Sequence, residues 1–333
     1  MLFPDFDCAL QFNEAVSKKG NLAADGRPTF GGTTPAEIAE IVFQVSDDAV
    51  LIPAHIWTPW FSALGSKSGY DSIEEAYGDQ ARKIFAIESG LSSDPAMIRR
   101  VGRLDRYATV SNSDSHSPYP WRLGRECNAF SIPPERLTYD AIFDAIKTKD
   151  PKKFAFTVEV DPNYGKYHFD GHRACGVCLS PAESKKARGT CPVCRRPLTI
   201  GVQSRVEELA DRPEGFVPRG AVPFWKILPL AELISAVRHS PLQSRKVAEE
   251  SAKILMVAKS ELDALLGLPA EGLLKATDEK IARAVMQNRE GKLTFRPGYD
   301  GEYGQVTNFE EAGGKKTEIP RASAGQKSLW EYF

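Results

Sequence analysis

The chain lacks any run of about 18 apolar residues, the length a helix needs to cross a bilayer, so no membrane span is expected. Its start, Met1 to Asp7, has no basic stretch followed by an apolar one, and no secretory signal is expected. There is no Gly-x-x-x-x-Gly-Lys-Ser/Thr loop, which excludes a helicase built on a phosphate-binding loop. No internal repeat occurs. An excess of one charge is also missing: 43 Lys and Arg face 44 Asp and Glu, a net charge of −1. The field of the whole molecule would not draw it onto nucleic acid, so any such contact must come from a local basic surface. What is present is 42% hydrophobic and 26% charged residues over 333 positions. That suits a packed soluble protein of two or three domains, expected in a reducing cytoplasm.

Up to about residue 150, helix-like and strand-like stretches alternate. Thr34 caps a helix with Pro35 in its first turn, and Ile38, Ile41 and Val42 follow at helical spacing. Apolar runs predict strands over 49–53, 84–88 and 107–111, with a helix over 73–77 between the first two. Such alternation predicts a parallel sheet or barrel, where functional residues gather at strand ends. Further on, strands are expected over 154–160 and 198–202. A helical stretch begins at 206–211. Helices are expected over 231–238, 244–266 and 278–289, the last capped by Thr277, and then a short strand over 292–296. The Gly-, Lys- and Ser-rich segment after Phe309 reads as a flexible tail.

Four of the six cysteines form Cys175-x2-Cys178-x12-Cys191-x2-Cys194. Ligands two residues apart make a tight knuckle, and two knuckles complete a tetrahedral thiolate shell. Gly176 and Gly189 ease the turns and Pro192 stiffens one. A closed Zn2+ site with a structural role is expected. Lys185, Lys186, Arg188, Arg195 and Arg196 crowd the same segment, either to touch phosphates or as a solvated face.

Metal-capable side chains also follow the first three predicted strands. Asp114 and His116, two apart, share one face of an extended segment. His55 follows the first strand and Glu88 ends the second. Carboxylate and imidazole ligands suit zinc, manganese or iron centres that activate water. An Asp-x-His alone is also a common surface turn; three strand ends together point to a site at the mouth of a barrel. Three ligands are few for a site of two or more ions. His168 and His172 are further candidates, or else orient the cysteine segment or touch phosphate.

Several blocks resemble endonuclease Q. They are 53–61 with 65–69, then Glu88 to Pro95, Ser111 to Ser117, Gly165 to Arg173, the four cysteines, Arg205 to Phe216, and Pro297 to Gly304, in family order over nearly the whole chain. The resemblance implies an α/β fold. It would have a partial, distorted barrel of the polymerase-and-histidinol-phosphatase (PHP) type at 1–150 and a zinc module at 151–202. A mainly helical DNA-binding domain would follow at 203–309 and a tail at 310–333. It implies cleavage of DNA 5′ to hypoxanthine, uracil and abasic sites by water activated with Zn2+, Mn2+ or Mg2+. His55, Asp114 and His116 would be ligands, with Glu88 a further catalytic candidate. Trp57, Trp60, Lys67 and Tyr70 become candidates for the lesion pocket, with barrel-mouth packing the alternative for both tryptophans. Asn112, His168, His172, Arg173, Arg205 and the basic residues of the cysteine segment become candidate DNA contacts.

Family members begin with a strand bearing a His-x-His metal pair. This sequence has none, and Met1 to Pro4 resembles the family's interior. The chain is therefore expected to lack an N-terminal metal-binding segment and to be inactive or nearly so alone. A wrong start, a split gene and a decayed gene all leave this pattern. The alternative is a non-catalytic DNA- and clamp-binding subunit that takes its missing ligands from a separate N-terminal polypeptide. Gln326, Leu329, Tyr332 and Phe333 resemble the motif by which partners dock on a sliding clamp of the PCNA type; otherwise this tail folds back on the core. A nucleoid-associated location would follow.

Overall fold

The structure, a computed structural model, describes residues 1–24 and 30–307. Its strands are β1 (Ala86–Glu88), β2 (Ala108–Val110), β3 (Cys127–Phe130), β4 (Phe154–Glu159), β5 (Asp170–His172), β6 (Val177–Leu179), β7 (Phe224–Lys226), β8 (Phe295–Arg296) and β9 (Gln305–Val306). They are short and fall into small sheets among the described residues: β1–β2, β3–β4–β7, β5–β6 and β8–β9. No helix among the described residues is long and apolar enough to cross a membrane.

The helix Pro35–Val45 starts where its sequence signals place it. The Glu37 amide donates to Thr34 Oγ1 at 3.2 Å, and the Glu37 carboxylate accepts the Thr34 amide at 2.8 Å. Such a reciprocal cap stabilises a helix by about 1 kcal/mol. The preceding helix, Phe6–Ser17, turns Cys8, Ala9, Phe12, Ala15 and Val16 inward at helical spacing, while its Phe6 and Leu10 face solvent. These two outward apolar side chains blur the periodicity in the sequence.

β1 and β2 pair in parallel, Ala86 against Ala108 and Glu88 against Val110, with β1 wholly buried. The stretch 49–53 runs beside β1 but is not a strand. Pro53 O accepts the Glu88 amide at 3.0 Å and Glu88 O accepts the Ile56 amide at 3.1 Å. Pro53 has no amide to donate, so the ladder stops there. In the three-stranded sheet β4 is central, antiparallel to β3 and parallel to β7. This parallel pair, the adjoining 49–56 segment and the three-stranded sheet are what the described residues show where a barrel was expected.

Other elements depart from expectation for local reasons. Over 198–202, Thr199 makes a single bridge with Gly171 and the helix Val202–Leu209 begins at once. The expected helix over 244–266 ends at Leu255. The Asp263 carboxylate takes the Lys259 amide and the Ser260 hydroxyl takes the Asp263 amide, opposing a continuous helix. The last helix, Glu279–Arg289, is capped by Asp278; Thr277 instead ends the preceding helix Ala270–Ala276.

The hydrophobic cores cross the borders drawn at 150 and 203. Val202 and Val206 pack with Ile56, Trp57 and Leu64, while Phe156 and Val158 of β4 pack with Leu233, Ile254 and Val285. The cysteine module is thus held to the first core by the helix that leaves it.

Candidate functional site

The three metal-capable segments meet through Glu88. One oxygen of this buried carboxylate accepts the His55 amide and the other accepts the Asn112 side-chain amide, both at 2.8 Å. Glu88 therefore braces the turns that carry the other candidates. His55 Nδ1 lies 3.1 Å from Thr58 Oγ1, which leaves Nε2 as the nitrogen for a ligand. Asp114 Oδ1 and His116 Nε2 are 2.9 Å apart. Arg125, itself buried, holds their turn: its guanidinium donates to Ser113 O at 2.7 Å and to Asp114 O at 3.0 Å.

His55, Asp114 and His116 have φ of 32°, 40° and 50°. Side chains other than glycine seldom enter this left-handed region, and residues that do cluster at functional sites. Gly90 makes the His55 turn feasible: at φ 76°, a Cβ there would stand 2.5 Å from His55 Cβ.

The three residues line one cleft of about 1060 Å³, ample for a nucleotide. Its charged lining is Arg122, Arg125, Lys166 and Asp114, with Arg122 paired to Glu232 behind it at 3.5 Å. Trp60, Phe61, Tyr119, Trp121, Tyr167 and Tyr303 supply aromatic surface. Sequence reasoning missed most of these. A usable signal was the Tyr-Pro-Trp-Arg run over 119–122, starting three positions after His116. The three expected ligands share the cleft without forming one compact donor set. Among the described residues, the group whose ligand atoms all lie within 4.8 Å of one another is elsewhere, in the cysteine module.

That group is His172, Cys175, Cys191 and Cys194. Cys178 is outside it, its sulfur 3.8 Å from Pro297 O. The reason is the β5–β6 hairpin. It pairs His172 with Val177 and Gly171 with Cys178, and adjacent strand residues point to opposite faces. The first knuckle is therefore His172-x2-Cys175. Sulfur ligands at about 2.3 Å around one tetrahedral ion sit about 3.8 Å apart, and the four donor atoms here all lie within 4.8 Å of one another. His172 Nδ1 is 3.6 Å from Cys194 Sγ. The group could hold a metal ion.

Several expected DNA contacts are buried or lie away from the cleft. Trp57 is 1% exposed and packs in the core. Arg205 is buried and binds Leu64 O, Tyr70 O, Asp71 and Glu208. His168 is buried with Nδ1 at 3.1 Å from Ser92 O, and burial holds its pKa down. Neither Lys67 nor Tyr70 lines the cleft. Lys185, Lys186, Arg188, Arg195 and Arg196 are exposed, with Lys185 3.9 Å from Glu207. Arg173 is exposed near Glu302. The clamp-motif residues Gln326, Leu329, Tyr332 and Phe333 lie outside the described residues.

A carboxylate set missed in the sequence ties the strand ends together. Glu159, at the end of β4, accepts the Ser89 and Ser111 hydroxyls at 2.8 and 3.0 Å and the Thr157 hydroxyl at 2.6 Å. Burial pushes it up to about 7, against those three bonds. Glu126 accepts the Val160 amide at 3.0 Å, and burial followed by the charge of Glu159 holds it well above the usual carboxylate range.

No protein-family model matches the chain. Its backbone matches the lesion-specific endonuclease PfuEndoQ of Pyrococcus furiosus with a TM-score of 0.77 and 33% identity, covering 91% of this chain and 73% of that one. The chain belongs to the endonuclease Q family. A second solved structure, endonuclease Q in complex with a 27-mer duplex bearing an abasic lesion at the active site, matches with a TM-score of 0.81 and 33% identity, over 91% and 74% of the two chains. An uncharacterized protein of Methanocaldococcus jannaschii is 30% identical over 269 residues, which are 79% of this chain and 33% of that protein. The YqxK protein of Bacillus subtilis, also uncharacterized, is 32% identical over 258 residues, 77% of this chain and 60% of that one. The chain thus spans between a third and three fifths of these two relatives. The endonuclease Q resemblance read from the sequence blocks is borne out.

Proposed function

We propose that this chain is the lesion-recognising part of a DNA-repair endonuclease that cuts 5′ to deaminated bases and abasic sites. The observation that carries the reading is the match, over 91% of the chain, to an endonuclease Q holding a lesion-bearing duplex. The cleft with its three strained residues supplies the matching chemistry. His55, Asp114 and His116 would hold divalent ions, which when bound supply Lewis-acid stabilisation of a phosphodiester under attack. Glu88 and Arg125 fix the turns that present these residues. Lys166, which lines the cleft, would contact a backbone phosphate, whereas Arg122 is already paired with Glu232 at 3.5 Å. His172, Cys175, Cys191 and Cys194 would hold structural Zn2+, keeping the exposed basic residues of that module in one surface. The purified chain should bind duplexes containing hypoxanthine, uracil or an abasic site more tightly than undamaged duplex and, with Mn2+, nick them only weakly on the 5′ side of the lesion. Equal binding to damaged and undamaged duplex would sink the reading.

A second reading, a DNA-binding subunit without catalysis, is favoured by the solvent-facing Phe6 and Leu10 of the first helix, 88% and 65% exposed. Apolar surface of this kind marks a protein contact. It predicts lesion binding with no cleavage. In either reading the Gln326–Phe333 tail would attach the protein to a sliding clamp, and deleting it should abolish co-elution with the clamp.

A further inference from the structure

We propose that the cavity lined by Arg99, Lys149 and Arg219 is a binding site for a small phosphoryl dianion, either inorganic phosphate or the phosphate group of a small monoester. The cavity holds about 180 Å³ and shares no lining residue with the cleft of His55, Asp114 and His116. Thr109 of β2 and Thr157 of β4 face it. Leu104 and Tyr107, just before β2, and Lys149, before β4, set it towards the strand starts. The cleft residues follow the strand ends instead.

Charge singles this cavity out. Among the described residues, Arg99, Lys149 and Arg219 form no ion pair. Asp105, the carboxylate of the lining, is taken by Arg212 at 2.8 Å. Lys149 donates to Asp105 O at 2.7 Å and to Arg106 O at 3.5 Å. Arg99 donates to Val222 O at 2.6 Å and lies over the Phe224 ring. These partners are neutral, so the charges stay uncompensated and both groups keep donors to spare. Burial pulls Arg99 and Lys149 below their usual values, opposed at Arg99 by the charges of Asp94, Glu159 and Asp105 and at Lys149 by that of Asp105. Asp94 is paired with Lys226, and Glu159 is bonded to three hydroxyls, so neither neutralises Arg99 directly. A half-buried cation without a counter-charge is costly, and an anion entering the cavity relieves that cost.

Shape chooses among anions. The cations come from three separate segments, so the occupant must accept hydrogen bonds from several directions. A tetrahedral oxyanion does this, and guanidinium forks match its oxygens in pairs. The turn that carries Arg219 closes through the Ala221 amide on Pro218 O at 3.2 Å, with Gly220 at φ 76°. This leaves the exposed Arg219 at the rim. The Thr109 hydroxyl, without a hydrogen bond among the described residues, adds a neutral donor. Pro95, Ile98 and Val222 supply apolar wall for the short carbon body of a monoester. The volume excludes a nucleic-acid strand.

The inference stands apart from the nuclease reading. The full chain is titrated with inorganic phosphate and with glycerol 3-phosphate by calorimetry, against sodium chloride at matched ionic strength. Both should bind saturably and raise the thermal midpoint by about 3 °C at tenfold excess over Kd. Tighter binding of glycerol 3-phosphate assigns the site to a monoester, and equal binding assigns it to free phosphate. Arg99→Gln should weaken binding by about tenfold. Arg219→Glu, on an exposed residue with no partner to lose, should do the same without disturbing the fold, and Arg219→Lys should cost less than about threefold. Arg219→Glu should also keep wild-type affinity for duplex DNA. Phosphate that acts no differently from chloride, or that binds Arg219→Glu like wild type, overturns the site. Parallel loss of phosphate and duplex binding in Arg219→Glu would give these cations to the DNA backbone and overturn it as well.

Discussion

Replacing Gly90 by alanine tests the strand-end geometry most directly. The new Cβ would stand 2.5 Å from His55 Cβ and 2.9 Å from His55 Cα. Carbon atoms in contact prefer about 3.5–4.0 Å, so one turn must move by roughly an ångström. Gly90→Ala has two costs. Forcing alanine to φ 76° costs about 1 kcal/mol, and overpacking costs about 1–3 kcal/mol more. Gly69→Ala isolates the first, because Gly69 has φ 84° and open space around its Cβ position. At about 2–4 °C per kcal/mol, Gly69→Ala should lower the thermal midpoint by about 2–4 °C and Gly90→Ala by about 4–16 °C. Calorimetry measures both, and Mn2+ titration followed by paramagnetic resonance reads the site. Mn2+ affinity should fall in Gly90→Ala and hold in Gly69→Ala. Equal midpoints would refute the close approach of Gly90 to His55. A much lower midpoint with unchanged Mn2+ affinity would refute His55 as a ligand.

Three further outcomes follow from the same contacts. Arg125→Met removes the bonds to Ser113 O and Asp114 O and should weaken Mn2+ binding by about 10–100-fold, as loss of a ligand's supporting partner commonly does; unchanged affinity would show that the Asp114 turn holds itself. Glu159 should give a pH-dependent stability: between its unfolded value near 4.5 and about 7 the native state keeps a proton that the unfolded chain has lost, so its contribution falls as pH rises through that window. Urea unfolding of Glu159→Gln from pH 4 to 8 should lack that part of the slope, and identical profiles would contradict it. Metal analysis of the purified chain should find zinc retained in Cys178→Ser and lost in His172→Ala and Cys175→Ser; loss of zinc in Cys178→Ser would restore the four-cysteine shell.

Local chemistry was enough wherever a signal is complete within a few residues. Thr34, Pro35 and Glu37 dictate a helix start because the cap bonds join neighbours in sequence. The apolar runs at 84–88 and 107–111 announce β1 and β2, since a strand buried on both faces needs no alternation. The endonuclease Q blocks were legible for the same reason, each being a short string. Packing decided the rest. Trp57 and Trp60 differ by three residues, yet one is in the core and the other in the cleft. Cys178 has the knuckle spacing, but hairpin register turns it away and puts His172 in its place, a choice no spacing rule contains. The Glu88 brace, the Arg125 grip and the Glu159 hydroxyl cluster join residues 11 to 70 positions apart. Such contacts exist only after the chain has closed on itself, because burial and distance across the fold, rather than order along it, set what each side chain can reach.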